Sequence, residues 1–189
     1  MNVNSSNQDE SDEHIAQNVQ EGDKEAFGAL VDRYEKKLLR YGRKFLARRE
    51  DIEDIVQDVF MSAYKNIKSF DTTQKFSPWV YRIAHNAFVN GLRKNERSFV
   101  LIDFDTLASH PVYEDPTESE RELAQIRNDI DKALAQLSPK YREVLVLHYF
   151  EEMAYKDIAE VLQVPVGTVG IRIKRAKEVL KGKINNQHG

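Results

Sequence analysis

Apolar residues return at helical spacing through two long stretches of this chain and lose that period between them. In the first stretch Phe27, Leu30, Val31, Tyr34, Leu38, Tyr41 and Phe45 form one stripe. Ile52, Ile55, Val56, Val59, Phe60, Ala63 and Ile67 form the clearest one, opposite a face of Glu50, Asp51, Glu53, Asp54, Gln57 and Asp58. Ahead of them the pattern predicts a helix from Asp12 to Glu21, ended by Gly22, with Asp23 as N-cap of the next segment. Ser77-Pro78 pairs an N-cap with proline at the first helical position, and Trp79, Val80, Ile83, Ala84, Ala87, Phe88 and Leu92 continue from it. The second stretch starts near Thr117 with Leu123, Ile126, Ile130, Ala133, Leu134 and Leu137. Ser138-Pro139 repeats the start signal, and Tyr155, Ile158, Ala159 and Leu162 precede a break at Gln163-Val164. A last helix carries Val169, Ile173, Ala176, Leu180 and Ile184. Only Phe99-Val100-Leu101-Ile102 looks like a strand-length apolar run.

Between the stretches, residues 103–119 hold Pro111, Pro116 and clustered acids. So long a patternless segment is unusual inside a compact domain and reads as a linker. The expected fold is therefore all-α: two small helical domains joined by an acidic extended linker, the second a helix-turn-helix. The boundaries fall at a tail 1–11, a first domain 12–98, a linker 99–120, a second domain 121–184 and a tail 185–189.

Composition removes several classes of function. The chain has 189 residues and no cysteine, which excludes disulfide scaffolds, thiolate metal sites and cysteine nucleophiles. Its apolar runs, such as Val144 to Leu147, fall far short of the roughly 20 residues a membrane span needs. Met1 to Glu13 is polar and acidic, unlike a signal peptide, so no membrane insertion and a cytoplasmic location are expected.

The net charge of -3 hides opposed blocks. Residues 1–25 carry a net -6, 33–49 a net +7, 98–122 a net -6 and 165–189 a net +5. Basic blocks can neutralise phosphates, whereas acidic ones repel nucleic acid or bind a basic partner.

The strongest chemical signal lies at residues 154–181: a short helix, a tight break with Pro165, and a longer basic helix. That geometry puts a second helix into the major groove. With Val169, Ile173, Ala176 and Leu180 turned inward, Thr168, Ile171, Arg172, Lys174, Arg175 and Lys177 face out. Arginine reads guanine edges and lysine anchors phosphates. A second, weaker signal interleaves Phe70, Phe76, Trp79, Tyr81 and Phe88 with Arg82, Arg93, Lys94, Arg97, Asn86 and Asn90. Aromatics stack on unpaired bases and amides bind their edges, although the apolar stripe also claims Trp79 and Phe88 for the core. Asp51, Asp54 and Asp58 share a helix face, but no Glu-x-x-His accompanies them on paired helices as a di-metal bundle requires. His14, His85, His110, His148 and His188 lack ligand spacing, and His85 and His148 read as ordinary helix residues. No phosphate-binding loop or nucleophile elbow is present. No catalytic residue, no cofactor and no metal are expected.

Four motifs now carry a resemblance: Glu53-Asp54-Ile55-Val56-Gln57-Asp58-Val59-Phe60; Phe76-Ser77-Pro78-Trp79-Val80-Tyr81-Arg82-Ile83-Ala84-His85-Asn86; Leu137-Ser138-Pro139-Lys140-Tyr141-Arg142; and Val164-Pro165-Val166-Gly167-Thr168-Val169. In this order, across an acidic linker, the chain resembles the extracytoplasmic-function RNA polymerase sigma factors from about Ile15 to Lys183. The resemblance implies a non-enzyme that binds core RNA polymerase and directs it to promoters. It implies docking on the clamp helices through Asp54, Gln57 and Asp58. It implies minus-ten recognition and melting by Asn86, Ala87, Phe88 and Asn90, with Val89 between them and Arg93 and Lys94 in support. Minus-thirty-five duplex recognition falls to Thr168, Arg172, Lys174 and Arg175, with the second domain resting on the polymerase flap and an anti-sigma factor as a further partner. The sequence departs from the family pattern at Asn90, Ala154, Gly170 and Ile171.

Two other classes of function fit parts of the sequence. A dimeric helix-turn-helix regulator would leave the first domain without a role. A helical metalloenzyme would lack its ligand pairs.

Overall fold

The computed structural model describes residues 10–46, 48–94 and 118–187. Helices α1 (Asp12–Glu21), α2 (Phe27–Gly42), α3 (Arg49–Asn66) and α4 (Phe76–Lys94) build an N-terminal unit. Helices α5 (Glu118–Ala135), α6 (Pro139–Leu145), α7 (Tyr155–Leu162) and α8 (Val166–Gln187) build a C-terminal one. Among the described residues there is no strand.

Local chemistry sets most of the ends. Ser11 is in extended conformation and its hydroxyl accepts the His14 amide at 3.2 Å, which caps α1. Gly22 closes the same helix at φ 118°, a conformation glycine adopts without strain. Glu10 and Ser11, expected in a free tail, are instead tied down: the Glu10 carbonyl accepts from Arg33 at 2.7 Å and its carboxylate from Asn18 at 2.9 Å. Asp23 caps a turn rather than α2 itself, accepting the Ala26 amide one residue before the helix begins. Helix α4 starts at Phe76, ahead of Ser77-Pro78, because Glu13 reaches across from α1 and accepts the Phe76 amide at 2.9 Å. Ser138 and Pro139 open α6 as N-cap and first residue.

In the N-terminal unit α3 packs on both α2 and α4, and α1 crosses α2. Gly42 permits that approach: a Cβ there would meet the Phe88 ring at 2.5 Å and Ile52 at 2.7 Å. In the C-terminal unit α8 packs on α6 and α7. Between α6 and α7 the chain takes one wide turn, Val146–Phe150, in which the Glu151 amide bonds back to the Val146 carbonyl at 3.2 Å. Helix α4 also packs on α7, so the two units touch. The linker expected at 99–120 lies outside the described residues, except for Glu118 to Glu120, which open α5, and Phe99 to Ile102 lie outside them as well. The tail expected from Asn185 is helical as far as Gln187.

Candidate nucleic-acid and partner interfaces

Helix α3 buries Ile52, Val56, Val59 and Ala63, which turns Asp54, Gln57 and Asp58 outward. Spacing of three and four residues places all three on one exposed face. Glu50 and Asp51 sit in the first turn, where carboxylates favour the positive end of the helix dipole. Arg49 pairs with Glu53 at 2.6 Å, and that bond pushes the guanidinium proton affinity up. Beside this face, α2 and α3 leave a groove of about 440 Å³ lined by Val31, Leu39, Val56, Phe60 and Met61, with Glu35, Glu53 and Gln57 on it as well. An apolar groove edged by carboxylates suits an amphipathic, basic helical partner. No group of three or more carboxylates or histidines that could hold a metal ion occurs among the described residues.

On α4, Asn86 and Asn90 are exposed one turn apart, and Ala87 is half-buried against the core. Phe88 is only 2 % exposed, with its ring 5.8 Å from Tyr41 and 6.5 Å from Phe45. A ring so placed cannot stack on a base, and Phe88 is therefore a core residue that positions the helix. Phe70, Phe76, Trp79 and Tyr81 are likewise buried, the first three in mutual contact at 5.1–5.4 Å. The aromatic interleaving thus reports core packing rather than a stacking platform. Arg93 and Lys94 belong to the last turn of α4, and their side chains lie outside the described residues.

Helices α7 and α8 form the helix-turn-helix. Gln163 turns the chain at φ 51°, and the Pro165 carbonyl accepts the Thr168 amide at 2.8 Å. Val169, Ile173 and Ala176 are buried, Lys174 and Arg175 are exposed, and Thr168 and Arg172 are half-buried. Ile171 stands 56 % exposed between them, an apolar side chain on an otherwise cationic face. Lys177 lies 5.1 Å from the Tyr149 ring centre, and the neighbouring phenol pushes the ammonium proton affinity up. Ala154 occupies the N-cap of α7 and supplies no side-chain bond.

Sequence reasoning missed a polar cluster between the units. Glu143 and Arg142 are each 8 % exposed. Glu143 accepts from Tyr41 at 3.2 Å and pairs with His85 Nδ1, which has no other partner among the described residues. Glu151 accepts from both Arg40 and Tyr81. Burial, reinforced by these carboxylates, pushes the Tyr41 and Tyr81 phenols well above their usual range. One clue was present: Tyr81, His85 and Phe88 share a face of α4 at four- and three-residue spacing, so His85 lies on a buried side.

Comparison with known proteins agrees with this arrangement. The family model for Sigma-70 region 2 matches residues 30–98, and that for Sigma-70, region 4 matches residues 127–180. The chain is 35 % identical over 175 residues to the ECF RNA polymerase sigma factor SigW of Bacillus subtilis, covering 89 % of this chain and 94 % of that one. It is 33 % identical over 181 residues to the ECF RNA polymerase sigma-E factor of Haemophilus influenzae, covering 92 % and 95 %. Among solved structures it resembles CnrH in complex with the cytosolic domain of CnrY, at 27 % identity and a TM-score of 0.69 over 94 % of this chain and 99 % of that one. It also resembles the sigma factor RpoE bound to the anti-sigma factor NepR from Bartonella quintana, at 25 % identity and a TM-score of 0.65 over 84 % and 96 %. Two helical units, an exposed acidic helix face and a basic helix-turn-helix define a sigma-70-type transcription initiation factor. The chain belongs to the ECF RNA polymerase sigma factors.

Proposed function

We propose that this sigma factor binds core RNA polymerase through α3 and reads promoters through α4 and α8, without catalysis of its own. The observation that carries the reading is the exposed face Asp54, Gln57 and Asp58 beside the α2–α3 groove, which faces solvent among the described residues. Buried carboxylates would need partners, whereas these face solvent and are available to a basic helix. Asn86 and Asn90, with Ala87 between them and Arg93 and Lys94 at the helix end, bind the melted minus-ten strand by base-edge and phosphate contacts. Thr168, Arg172, Lys174 and Arg175 bind the minus-thirty-five duplex, Lys174 and Arg175 being the cations most open to phosphate. Residues 12–98 form the minus-ten unit, 121–184 the minus-thirty-five unit and 99–120 the linker between them. An anti-sigma factor is a fitting regulator, as it is for the RpoE neighbour.

Co-purification with bacterial core RNA polymerase tests the reading. Wild type binds stoichiometrically, and an Asp54→Arg/Asp58→Arg variant, folded by circular dichroism, loses binding at least tenfold, a change of about 1.4 kcal/mol. A wild-type chain that ignores polymerase yet shifts duplex DNA alone as a dimer would overturn it.

A further inference from the structure

One side chain on the outward face of α8 has no part in the phosphate and guanine chemistry assigned to its neighbours. Ile171 is 56 % exposed, more than any other large apolar side chain among the described residues. It belongs neither to the buried core nor to the apolar side chains packed against that core. Val169, Ile173 and Ala176 already supply the inward face of the helix, so folding does not need it. Single exposed apolar residues are ordinary on protein surfaces, and what sets this one apart is its place.

At 3.6 residues per turn, Ile171 neighbours Gly167 and Thr168 on the preceding turn and Lys174 and Arg175 on the next. Gly167, Lys174 and Arg175 are exposed and Thr168 is half-buried. Ile171 therefore stands in the middle of the outward face, within the first two turns of α8, the part of a recognition helix that meets base edges. Nothing lies within 4 Å of where a Cβ on Gly167 would be, so the approach to Ile171 from that side is open. The residue choice is also poor for the helix itself. Alanine, lysine or glutamate would favour an exposed helical position more than isoleucine does, and Gly170 beside it weakens the same turn again. A surface residue that works against its own helix points to a use outside the fold. Its β-branch holds χ1 largely to one well, so little rotamer freedom is lost when something packs against it.

Isoleucine offers no donor and no acceptor, so it cannot read guanine, adenine or cytosine by hydrogen bonds. The one apolar group that any base presents in the major groove is the C5-methyl of thymine. Phosphate contacts from Lys174 and Arg175 would seat the helix and bring Ile171 against the base edges. A thymine methyl gains by leaving water there, whereas a polar edge loses a water that isoleucine cannot replace. Resting on the sigma reading above, we infer that Ile171 is a specificity-determining residue for the minus-thirty-five element, selecting thymine at one position through its methyl group.

Core polymerase loaded with the full chain tests this by selection from duplexes randomised across the minus-thirty-five element. Wild type retrieves sequences with thymine fixed at one position. Ile171→Ala, with the better helix former, loses that preference and keeps those at the other positions. Replacing the selected thymine by deoxyuridine removes only the methyl. It weakens wild type about fourfold, the worth of hiding one methyl from water, and leaves binding by Ile171→Ala as it was. Salt separates this contact from the ionic ones: Lys174→Ala lowers the slope of log affinity against log salt by about one, and Ile171→Ala leaves it unchanged. A thymine preference that survives in Ile171→Ala, an equal uracil penalty in both chains, or selected sequences with no fixed thymine would overturn this inference alone. A loaded wild-type polymerase that selects no sequence at all would overturn the sigma reading together with it.

Discussion

Replacing Arg142 by methionine is expected to destabilise the C-terminal unit by about 3–5 kcal/mol, the loss of several hydrogen bonds from one charged, buried donor at about 1.5–3 kcal/mol each before non-additivity. The side chain is 8 % exposed, and burial alone draws its proton affinity down without removing its charge at neutral pH. Its guanidinium donates to the Leu134 carbonyl at 2.9 Å, Ala135 at 2.7 Å, Leu137 at 3.2 Å and, across the units, Lys44 at 2.9 Å. The first three acceptors lie at the end of α5 and the turn after it, and of these the Leu134 carbonyl also accepts the Leu137 amide at 3.0 Å. Methionine fills similar volume but donates nothing. Each acceptor left without a donor then costs about 1–3 kcal/mol, less where water can reach, and the losses do not add fully. Arg142→Lys keeps the charge but lacks the planar fork, so it should recover about half the loss. Urea unfolding followed by circular dichroism reads the difference. With an m-value of about 2 kcal/mol/M, the methionine variant should unfold roughly 2 M earlier. A shift below about 0.5 M in urea, or a lysine variant no better than methionine, would refute the assignment of Arg142 as the clasp of the α5–α6 corner.

Gly170→Ala should stabilise the chain by about 1 kcal/mol, because glycine is a poor helix former and the new methyl would meet nothing nearer than Tyr155 at 3.6 Å; a lowered urea midpoint would contradict this. The alkaline limb of stability should be steep. Tyr34, Tyr41 and Tyr81 are pushed up chiefly by burial, so below pH 10.0 both folded and unfolded states keep their protons and the stability is intact. Above it only the unfolded state ionises, and each tyrosine removes about 1.4 kcal/mol per pH unit, roughly 4 kcal/mol for the three. Phenolate absorbance from these residues should therefore appear only together with loss of helix, and ionisation in a fully helical chain would show the burial argument to be wrong.

The elements that sequence pattern resolved are those whose ends are written locally. Helix α1 runs from Asp12 to Glu21 because Ser11 and Gly22 lie within a turn of its ends. The break between α7 and α8 was legible because a proline and an apolar register change sit side by side. Helix α4 begins earlier than Ser77-Pro78 predicts, since its first amide is satisfied by Glu13, 63 residues away. Phe88 illustrates the ambiguity of aromatic residues: the same spacing serves a core stripe and a stacking surface, and only the ring contacts with Tyr41 and Phe45 decide it. Glu143 and Glu151 were invisible for the opposite reason. On an amphipathic helix a glutamate reads as solvent-facing, and its burial here depends on partners more than 50 residues away in sequence.

Carboxylates in this chain thus fall into two groups that composition cannot separate. Asp54 and Asp58 are exposed and adjoin an apolar groove, where a partner could desolvate them at little structural cost. Glu143 and Glu151 are already desolvated, and each has two donors from the opposite unit. An apolar set of similar volume would bind the units at least as firmly, since buried ion pairs add little net stability over such a replacement. What the charged set adds is exchangeability: its groups return to water when the units separate, and their geometry admits one docking arrangement rather than several. Asp54 and Asp58 face outward on α3, and Glu143 and Glu151 face inward against α2 and α4.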